Sequence, residues 1–238
     1  MDERLIETIV DQVTQRLLAD RSSSSIQTGS MPSGASVTDD IKAGRVVVNI
    51  SARHIHLTNE HVEALFGGGA KLKPMKPLIQ TGEFASEQQV LLVGPTGKTL
   101  GPVRVLGPTR KASQVEISLT DCYALGLKTL PPIRPSGDHT GTFGITMVGP
   151  AGAVTLTSGL IRANRHIHLH TSQGAAMGLK NNDPVDVRIE GERPAIFLGC
   201  QARVHDMFLA EMHIDTDDGN AVGIKSGALA QILLPNRR

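Results

Sequence analysis

The chain has 238 residues, 24 basic and 23 acidic side chains, a net charge of +1 at pH 7, and no Trp. A charge so close to zero creates no global field for nucleic acid or an anionic membrane surface, so we expect neither as a partner. The sequence also lacks an apolar run of roughly 20 residues, and its charged N-terminus does not resemble a signal peptide, which predicts a cytoplasmic protein.

The first stretch, residues 1–20, is predicted to form an amphipathic helix. Apolar side chains recur at helical spacing from Leu5 to Leu18, with charged residues between them. Residues 21–44 begin with a stretch rich in Ser, Gly and Thr that has no apolar period, which is typical of a flexible linker. A tethered helix of this kind is expected to dock on the body of the protein, on a second copy or on a separate partner.

From about residue 45 the chain changes to short apolar runs separated by Gly-Pro and Gly-x-Gly turns, as in LLVGPTGKTLGPVRVLGP. With 25 Gly, 13 Pro and few aromatic residues, this pattern favours a mainly β fold of barrels or sandwiches. The pentapeptide RHIHL at residues 53–57 recurs unchanged at 165–169. The repeat predicts two related halves, 45–130 and 131–238, between which strands can be exchanged.

A shorter repeat runs through both halves. A segment of the type Ala-x-Gly-x-Lys begins eight residues after Glu116, His168 and His213, and a degenerate copy follows His56 at the same distance. We interpret these segments as four units of strand, helical turn, Gly cap and onward strand. The four polar residues then occupy one shared position, each between two apolar neighbours.

The shared position carries metal-binding side chains. Residues i and i+2 of a strand face one side, so the two His-x-His pairs each form a two-imidazole clamp. The candidate ligands are His54, His56, Glu116, His166, His168 and His213. His and carboxylate ligands with open positions are typical of catalytic zinc sites, and six ligands suffice for two ions. The alternative is that a repeated fold merely repeats a polar strand face.

The remaining histidines have no such pattern. His61, His139 and His205 occur in predicted turns and are expected to be exposed rather than ligating. His170 continues the alternation of the second pair, so it either faces the metals or lies at the end of its strand.

Two further polar segments flank the candidate ligands. The GPTRK segment at 107–111 precedes Glu116 and either grips an anion such as phosphate through Arg110 or forms a solvated turn. The acidic run at 215–220 lacks the spacing of an EF-hand calcium loop. It is predicted to be a turn that brings Asn220 near His213.

The segments RHIHLT, GPTRK before QVEIS, the second RHIHL and EMHIDTDDGNA are together similar to the phosphate propanoyltransferase family, the zinc-dependent phosphotransacylases of bacterial microcompartments. The resemblance covers about residues 46–235. It implies two similar β-barrel domains with helical caps and a two-zinc site between them. By this resemblance one zinc is bound by His54, His56 and Glu116, and the other by His166, His168 and His213. It also implies Arg110 as a phosphate ligand and Asn220 as a polar group near the site.

The same resemblance implies the reaction and its setting. Acyl-CoA, with a propanoyl or acetyl group, and inorganic phosphate are interconverted with acyl phosphate and coenzyme A, which recycles coenzyme A inside a microcompartment. The family also suggests a homodimer. Residues 1–20 resemble the peptides that bind shell or core enzymes and so place enzymes in the microcompartment lumen. Phosphate attacks the thioester directly in this mechanism, so neither Cys122 nor Cys200 is expected to be essential, and both are expected to be small buried residues.

Two other functions fit the four-unit repeat. One is a two-zinc hydrolase, in which hydroxide replaces phosphate as the nucleophile. The other is a non-catalytic metal-binding protein associated with the shell. Dependence of thioester cleavage on phosphate separates the first from a phosphotransacylase, and the absence of any turnover identifies the second.

Overall fold

The computed structural model of the protein describes residues 44–234. The predicted helix of residues 1–20, and all but the last residue of the predicted linker 21–44, lie outside the described residues. Within residues 44–234, strands make up 42% of the chain and the helices are four short segments. The predicted mainly β fold with short helices is therefore confirmed.

The elements follow one another with short connections. The strands are β1 (Arg45–Ser51), β2 (His54–His56), β3 (Pro74–Pro77), β4 (Phe84–Val93), β5 (Thr99–Gly107), β6 (Gln114–Glu116), β7 (Ile133–Arg134), β8 (Thr146–Gly149), β9 (Gly152–Thr155), β10 (Leu160–Ala163), β11 (His166–Leu169), β12 (Pro184–Ile189), β13 (Ala195–Val204), β14 (Glu211–Asp215) and β15 (Leu229–Leu233). The helices are α1 (Asn59–Phe66), α2 (Leu119–Ala124), α3 (Thr171–Met177) and α4 (Thr216–Val222).

One compact unit consists of Arg53–Pro77 and Glu83–Arg162. Its sheet has the strand order β7, β10, β6, β2, β5, β4, β8 and β9, with β3 added beside β4, and it curls into a half-barrel. The strands at the two ends of this path, β7 and β9, contain only two and four residues. Apolar side chains of β2, β4 and β5 meet those of α1 and α2 in a core centred on Ile55, Leu92 and Val105.

The other unit consists of residues 44–52, Leu78–Gly82 and 163–234. Its strands close into a barrel in the order β1, β14, β11, β13, β12 and β15. Val185, Val187 and Ile189 of β12 are buried, because alternate side chains of a strand face the same side. The predicted barrel architecture is thus present as one closed barrel and one half-barrel.

The predicted units of strand, helix and Gly cap are all present. In chain order they are β2–α1–Gly67, β6–α2–Gly126, β11–α3–Gly178 and β14–α4–Gly223. Each of these Gly residues has a positive φ, which a residue with a Cβ adopts only at a cost. The unit that looked degenerate in sequence, with Phe66-Gly67, therefore keeps the helix and the cap.

The prediction that the acidic run at 215–220 forms a turn is wrong. The run forms the start of a helix rather than a turn, because Asp215 is the N-cap of α4 and its side chain accepts a hydrogen bond from the backbone N–H of Asp218. Carboxylates at a helix N-terminus satisfy free N–H groups and favour the positive end of the helix dipole. His170 likewise proves to be a cap, at the N-terminus of α3.

Candidate metal centres

The first candidate centre lies in the half-barrel, where β2 and β6 pair in antiparallel register. This register places His54 directly opposite Glu116, and His56 follows two residues later on the same face. The Glu116 Oε1 atom is 3.5 Å from Nε2 of His54 and 3.8 Å from Nε2 of His56. Each of the three residues offers one ligand atom, and these atoms all lie within 4.8 Å of one another. The structure therefore brings together the three residues predicted for one ion.

Burial and neighbouring charges set the protonation of this centre. Burial opposes ionisation of Glu116, but His54, His56 and the hydroxyl of Ser136 outweigh it and hold its pKa well below the usual range. Burial, together with His54 and Arg110, lowers the pKa of His56 well below its ordinary value. A neutral imidazole beside an ionised carboxylate is the protonation state that a metal ion requires.

A hydrogen-bond network joins this centre to the predicted phosphate ligand. Nη1 of Arg110 donates to the Ser136 hydroxyl over 2.9 Å, and that hydroxyl donates to Glu116 Oε1 over 2.8 Å. The side-chain amide of Gln114 donates to the same Glu116 oxygen at 2.6 Å and to Ser136 at 2.9 Å. The Ser136 hydroxyl therefore connects Arg110 to Glu116, a candidate metal ligand.

The second candidate centre lies in the closed barrel, where β11 and β14 pair in the same antiparallel way. His166 stands opposite His213, and their rings stack with centroids 4.8 Å apart. His168 lies on the same face, and the ligand atoms of the three residues are within 4.8 Å of one another. The predicted ligands of the second ion are thus also brought together.

His168 is the most deeply buried of the three histidines in this candidate centre. It is only 7% exposed, and neither of its ring nitrogens has a hydrogen-bond partner among residues 44–234. Burial, reinforced by His166 and His213, lowers its pKa to about 2, so the ring is neutral. A buried imidazole without partners is costly. A bound cation would remove that cost, and three nitrogen donors suit a divalent transition metal.

The Arg residue that opens each pentapeptide anchors a helix. Arg53 donates through Nε to Oδ1 of Asp121 at 2.9 Å, with Nη2 at 2.6 Å from the same oxygen. Arg165 holds both carboxylate oxygens of Asp218 at 2.7 Å. Each acid lies in the first turn of the helix that follows a ligand strand, α2 after β6 or α4 after β14. The repeated Arg therefore has a structural role at both centres.

Comparison with known proteins gives the family. Residues 47–225 match the family model described as phosphate propanoyltransferase. The phosphate propanoyltransferase of Planctopirus limnophila is 44% identical over 231 residues, which cover 97% of this chain and 91% of that protein. Those of Lachnoclostridium phytofermentans and Listeria monocytogenes are 47% and 38% identical, covering 79% and 98% of this chain and 87% and 97% of the relatives.

The chain belongs to the phosphate propanoyltransferase family. This confirms the resemblance carried by the two RHIHL segments and the predicted enzyme class, an acyltransferase. As a member of the phosphate propanoyltransferase family, the chain acts on an acyl-CoA, with coenzyme A as substrate or product. Within residues 44–234, no helix combines the length and the apolar character needed to cross a membrane.

The two remaining predicted site residues have different surroundings. Arg110 is about a third exposed and also lies 3.4 Å from Glu83 Oε1. Asn220 is exposed on α4, where its backbone carbonyl accepts a hydrogen bond from the C-cap Gly223. The structure gives its side chain no ligand role, so its place near a metal stays a prediction.

The other histidines lie outside both centres. His61 and His139 were expected to be exposed, but each is half-buried and hydrogen-bonded. His61 Nδ1 is 2.7 Å from the Ser113 hydroxyl, and His139 Nε2 is 3.2 Å from Gln114 Oε1. His205 is exposed, as predicted.

Sequence reasoning missed three polar residues beside the two candidate centres. Ser136 has no local signal, since it comes from a loop 20 residues after Glu116. Gln114 and Glu211, in contrast, could have been found from their positions in the sequence repeat. They stand two residues before the shared position of the four-unit repeat, where the other two units carry the first His of each His-x-His pair. Reading the repeat two residues earlier would have found both.

Proposed function

We propose that this chain transfers a propanoyl or acetyl group between coenzyme A and inorganic phosphate, with one zinc ion in each of the two centres. The observation that carries this proposal is the hydrogen-bonded path from Arg110 through Ser136 to Glu116, which joins an anion-binding side chain to a candidate metal centre. The relatives named phosphate propanoyltransferase support phosphate and an acyl-CoA as the substrates.

Arg110 is proposed to bind the phosphate. A guanidinium has five N–H donors, and the contacts with Ser136 and Glu83 use two of them. Because Ser136 fixes one edge of the group, less side-chain entropy is lost when another edge grips two phosphate oxygens. Arg110 then orients the phosphate and offsets part of its charge.

The two centres are proposed to hold zinc through His54, His56 and Glu116, and through His166, His168 and His213. Zinc, when bound, supplies Lewis acidity and positive charge for the anionic oxygens of the reaction. The chain contributes neutral imidazoles at His56 and His168 and an ionised carboxylate at Glu116, so these three ligands need lose no proton.

The acyl transfer itself needs no covalent intermediate with the protein. A phosphate oxygen attacks the thioester carbonyl carbon, the carbon–sulfur bond breaks, and the coenzyme A thiolate leaves as acyl phosphate forms. Cys122 and Cys200 are both buried, and burial raises the pKa of Cys200 to about 11, which keeps it as a thiol. Replacing both by Ala should leave turnover in place, and a burst of acyl-enzyme would contradict this mechanism.

The deciding assay follows thiol release from propanoyl-CoA by the purified protein, with and without inorganic phosphate, before and after treatment with a chelator. Phosphotransacylation requires both phosphate and metal. Release without phosphate would favour the hydrolase. No release from folded, zinc-loaded protein would favour the non-catalytic metal-binding protein.

The role of Arg110 is tested with Arg110→Lys, which keeps the charge but loses the planar, two-pronged donor. We expect kcat/KM for phosphate to fall about tenfold or more. Arg188→Lys is the matched control, because Arg188 is exposed and pairs only with the exposed Glu190 at the surface of the other unit in the residues described. Equal losses in the two variants would remove Arg110 from the phosphate site.

Metal content tests the two centres separately. Wild-type protein should contain two zinc ions per chain by mass spectrometry of the dialysed protein. His54→Ala and His166→Ala should each retain one. Loss of both ions, or of neither, from either variant would contradict independent centres.

The location and assembly are further parts of the proposal. Residues 1–20 are proposed to direct the enzyme into a microcompartment by docking on shell or core proteins, where it would recycle coenzyme A, and the chain is proposed to form a homodimer. The support is the apolar stripe of this segment and the family resemblance. Deleting residues 1–20 should leave phosphate-dependent thiol release unchanged and abolish co-purification with shells. Light scattering measures the oligomeric state.

A further inference from the structure

Glu211 is a buried carboxylate beside the second centre. It opens β14, stands opposite His168 in the strand register, and is 1% exposed. Its Oε2 atom lies 3.0 Å from Nε2 of His213. Its other oxygen, Oε1, is fully buried and has no hydrogen-bond partner within the described part of the chain. A buried carboxylate oxygen in that state is costly unless a cation faces it.

The side chains of Gln80 and Asn49 hold this carboxylate in place. The amide of Gln80 donates to Glu211 Oε2 over 2.9 Å and to the backbone carbonyl of Leu209 over 3.1 Å. The Gln80 carbonyl oxygen accepts a hydrogen bond from the Leu209 backbone N–H. Gln80 is itself 7% exposed and belongs to Leu78–Gly82, a short segment that packs in the closed barrel although it lies far away in sequence. The carboxylate is therefore positioned from two sides.

The strand registers show which residues correspond in the two centres. His54 stands opposite Glu116, as His166 stands opposite His213. His56 stands opposite Gln114, as His168 stands opposite Glu211. Glu116 of the first centre thus corresponds to His213 of the second, and Gln114 of the first corresponds to Glu211 of the second.

The two centres therefore each contain one carboxylate, but at different positions. Each has one carboxylate, but the acid occupies opposite positions: Glu116 beside Gln114 in the first, and Glu211 beside His213 in the second. In both centres the polar side chain contacts the candidate ligand two residues later in the same strand. Gln114 Nε2 is 2.6 Å from Glu116 Oε1, and Glu211 Oε2 is 3.0 Å from His213 Nε2. A carboxylate that changes position but is kept in each centre points to a shared need for one negative charge beside a divalent cation.

We propose that Glu211 is a fourth protein group of the second metal centre, facing a divalent cation together with His166, His168 and His213 and offsetting its charge as Glu116 does in the first. This inference rests on the proposed zinc sites. It assigns to Glu211 a role that the three-histidine set leaves out, and to Gln80 the role of positioning that carboxylate.

The test measures metal affinity rather than turnover. Metal-free wild-type protein, Glu211→Gln and the control Glu190→Gln are titrated with zinc in competition with a chromophoric chelator. The Gln variant keeps the shape and can still bond to Gln80, so only the charge is lost. We expect it to bind one ion as wild type does and the other about tenfold or more weakly. Glu190 is 61% exposed, so its variant should bind both ions like wild type.

The affected centre is identified in two backgrounds. In His54→Ala protein, which keeps the second centre, adding Glu211→Gln should weaken the remaining ion by the same factor. In His166→Ala protein, which keeps the first, it should change nothing. Cobalt(II) in place of zinc gives a second readout, because loss of a carboxylate beside the ion should alter the visible absorption in the first background alone.

The outcomes separate this inference from the proposed function. Wild-type protein that binds fewer than two ions would overturn both. Two ions in wild type, with the Glu211→Gln affinities within about twofold of it and unchanged circular dichroism, would overturn the role of Glu211 alone. Should Glu211→Gln fail to fold, Gln80→Leu replaces it as the test. This variant leaves the charge but removes its anchor, and an unchanged affinity for the second ion would again overturn the inference.

Discussion

The Arg53–Asp121 pair allows a quantitative prediction that does not depend on metal or substrate. Arg53→Met keeps the apolar stem of the side chain and removes the guanidinium. Asp121 is 1% exposed, so its Oδ1 oxygen loses both of its contacts with Arg53 in a site that water hardly reaches. Removing one partner of a fully buried pair costs about 3–5 kcal/mol.

Two features of the structure reduce that cost. The Arg53 side chain is 38% exposed, so part of its own interaction is already screened by solvent. The other carboxylate oxygen, Oδ2, keeps the hydrogen bond from the Ser118 backbone N–H that caps α2. We therefore expect Arg53→Met to lower the free energy of unfolding by about 2 kcal/mol.

The assay is urea unfolding of metal-free protein, followed by circular dichroism. Asp121→Asn and the double variant complete a cycle whose coupling energy isolates the pair. Arg188→Met is the control, since its pair with Glu190 is exposed on both sides, and it should change the free energy by less than about 0.5 kcal/mol. If Arg53→Met costs no more than this control, the pair does not anchor α2 as the structure indicates.

Three further predictions follow from other parts of the structure. Ser136→Ala should lower kcat/KM for phosphate about tenfold, because Arg110 loses the acceptor that orients it, and an unchanged kcat/KM in steady-state thiol-release assays would refute this. For His168, the pKa is about 2 in the folded metal-free protein and about 6.5 in the unfolded chain, so the unfolded state takes up the proton first as the pH falls. The thermal midpoint of metal-free protein should therefore drop between about pH 7.5 and pH 5.5, and the drop should be smaller for His168→Asn; equal slopes would contradict it. Gly144→Ala should destabilise by about 1–3 kcal/mol in urea, since a Cβ there would overlap a backbone carbonyl, whereas Gly68→Ala, with no atom within 4 Å of its new Cβ, should be nearly neutral.

Local chemistry explains why much of this protein could be predicted from its sequence. The side chains of a His-x-His pair share a face whatever the strand pairs with, so the pairs of candidate ligands were evident before the sheet was known. The strand–helix–Gly units were readable for the same reason, because caps and helical turns depend on residues within a few positions of one another. The family could also be recognised from the sequence, because the resemblance depends on short segments of contiguous residues.

Long-range pairing was not readable in this way. Nothing near His54 in the sequence says that its strand pairs with the strand of Glu116. The choice depends on which apolar faces pack together, and many pairings satisfy the same alternation. The tertiary structure also decided that β1, which precedes the half-barrel in sequence, pairs with β14 in the closed barrel.

The buried polar contacts were the least predictable part. Gln80 reaches Glu211 across 131 residues, and Ser136 reaches Glu116 from a loop. A lone Gln or Ser in sequence looks like any surface residue, since its value depends on which buried group it meets and on whether water can reach that group. The sequence by itself determined the types and the spacing of the candidate ligands. Only the tertiary structure decided which acid faces which cluster, because burial and long-range contacts exist only once the chain has folded.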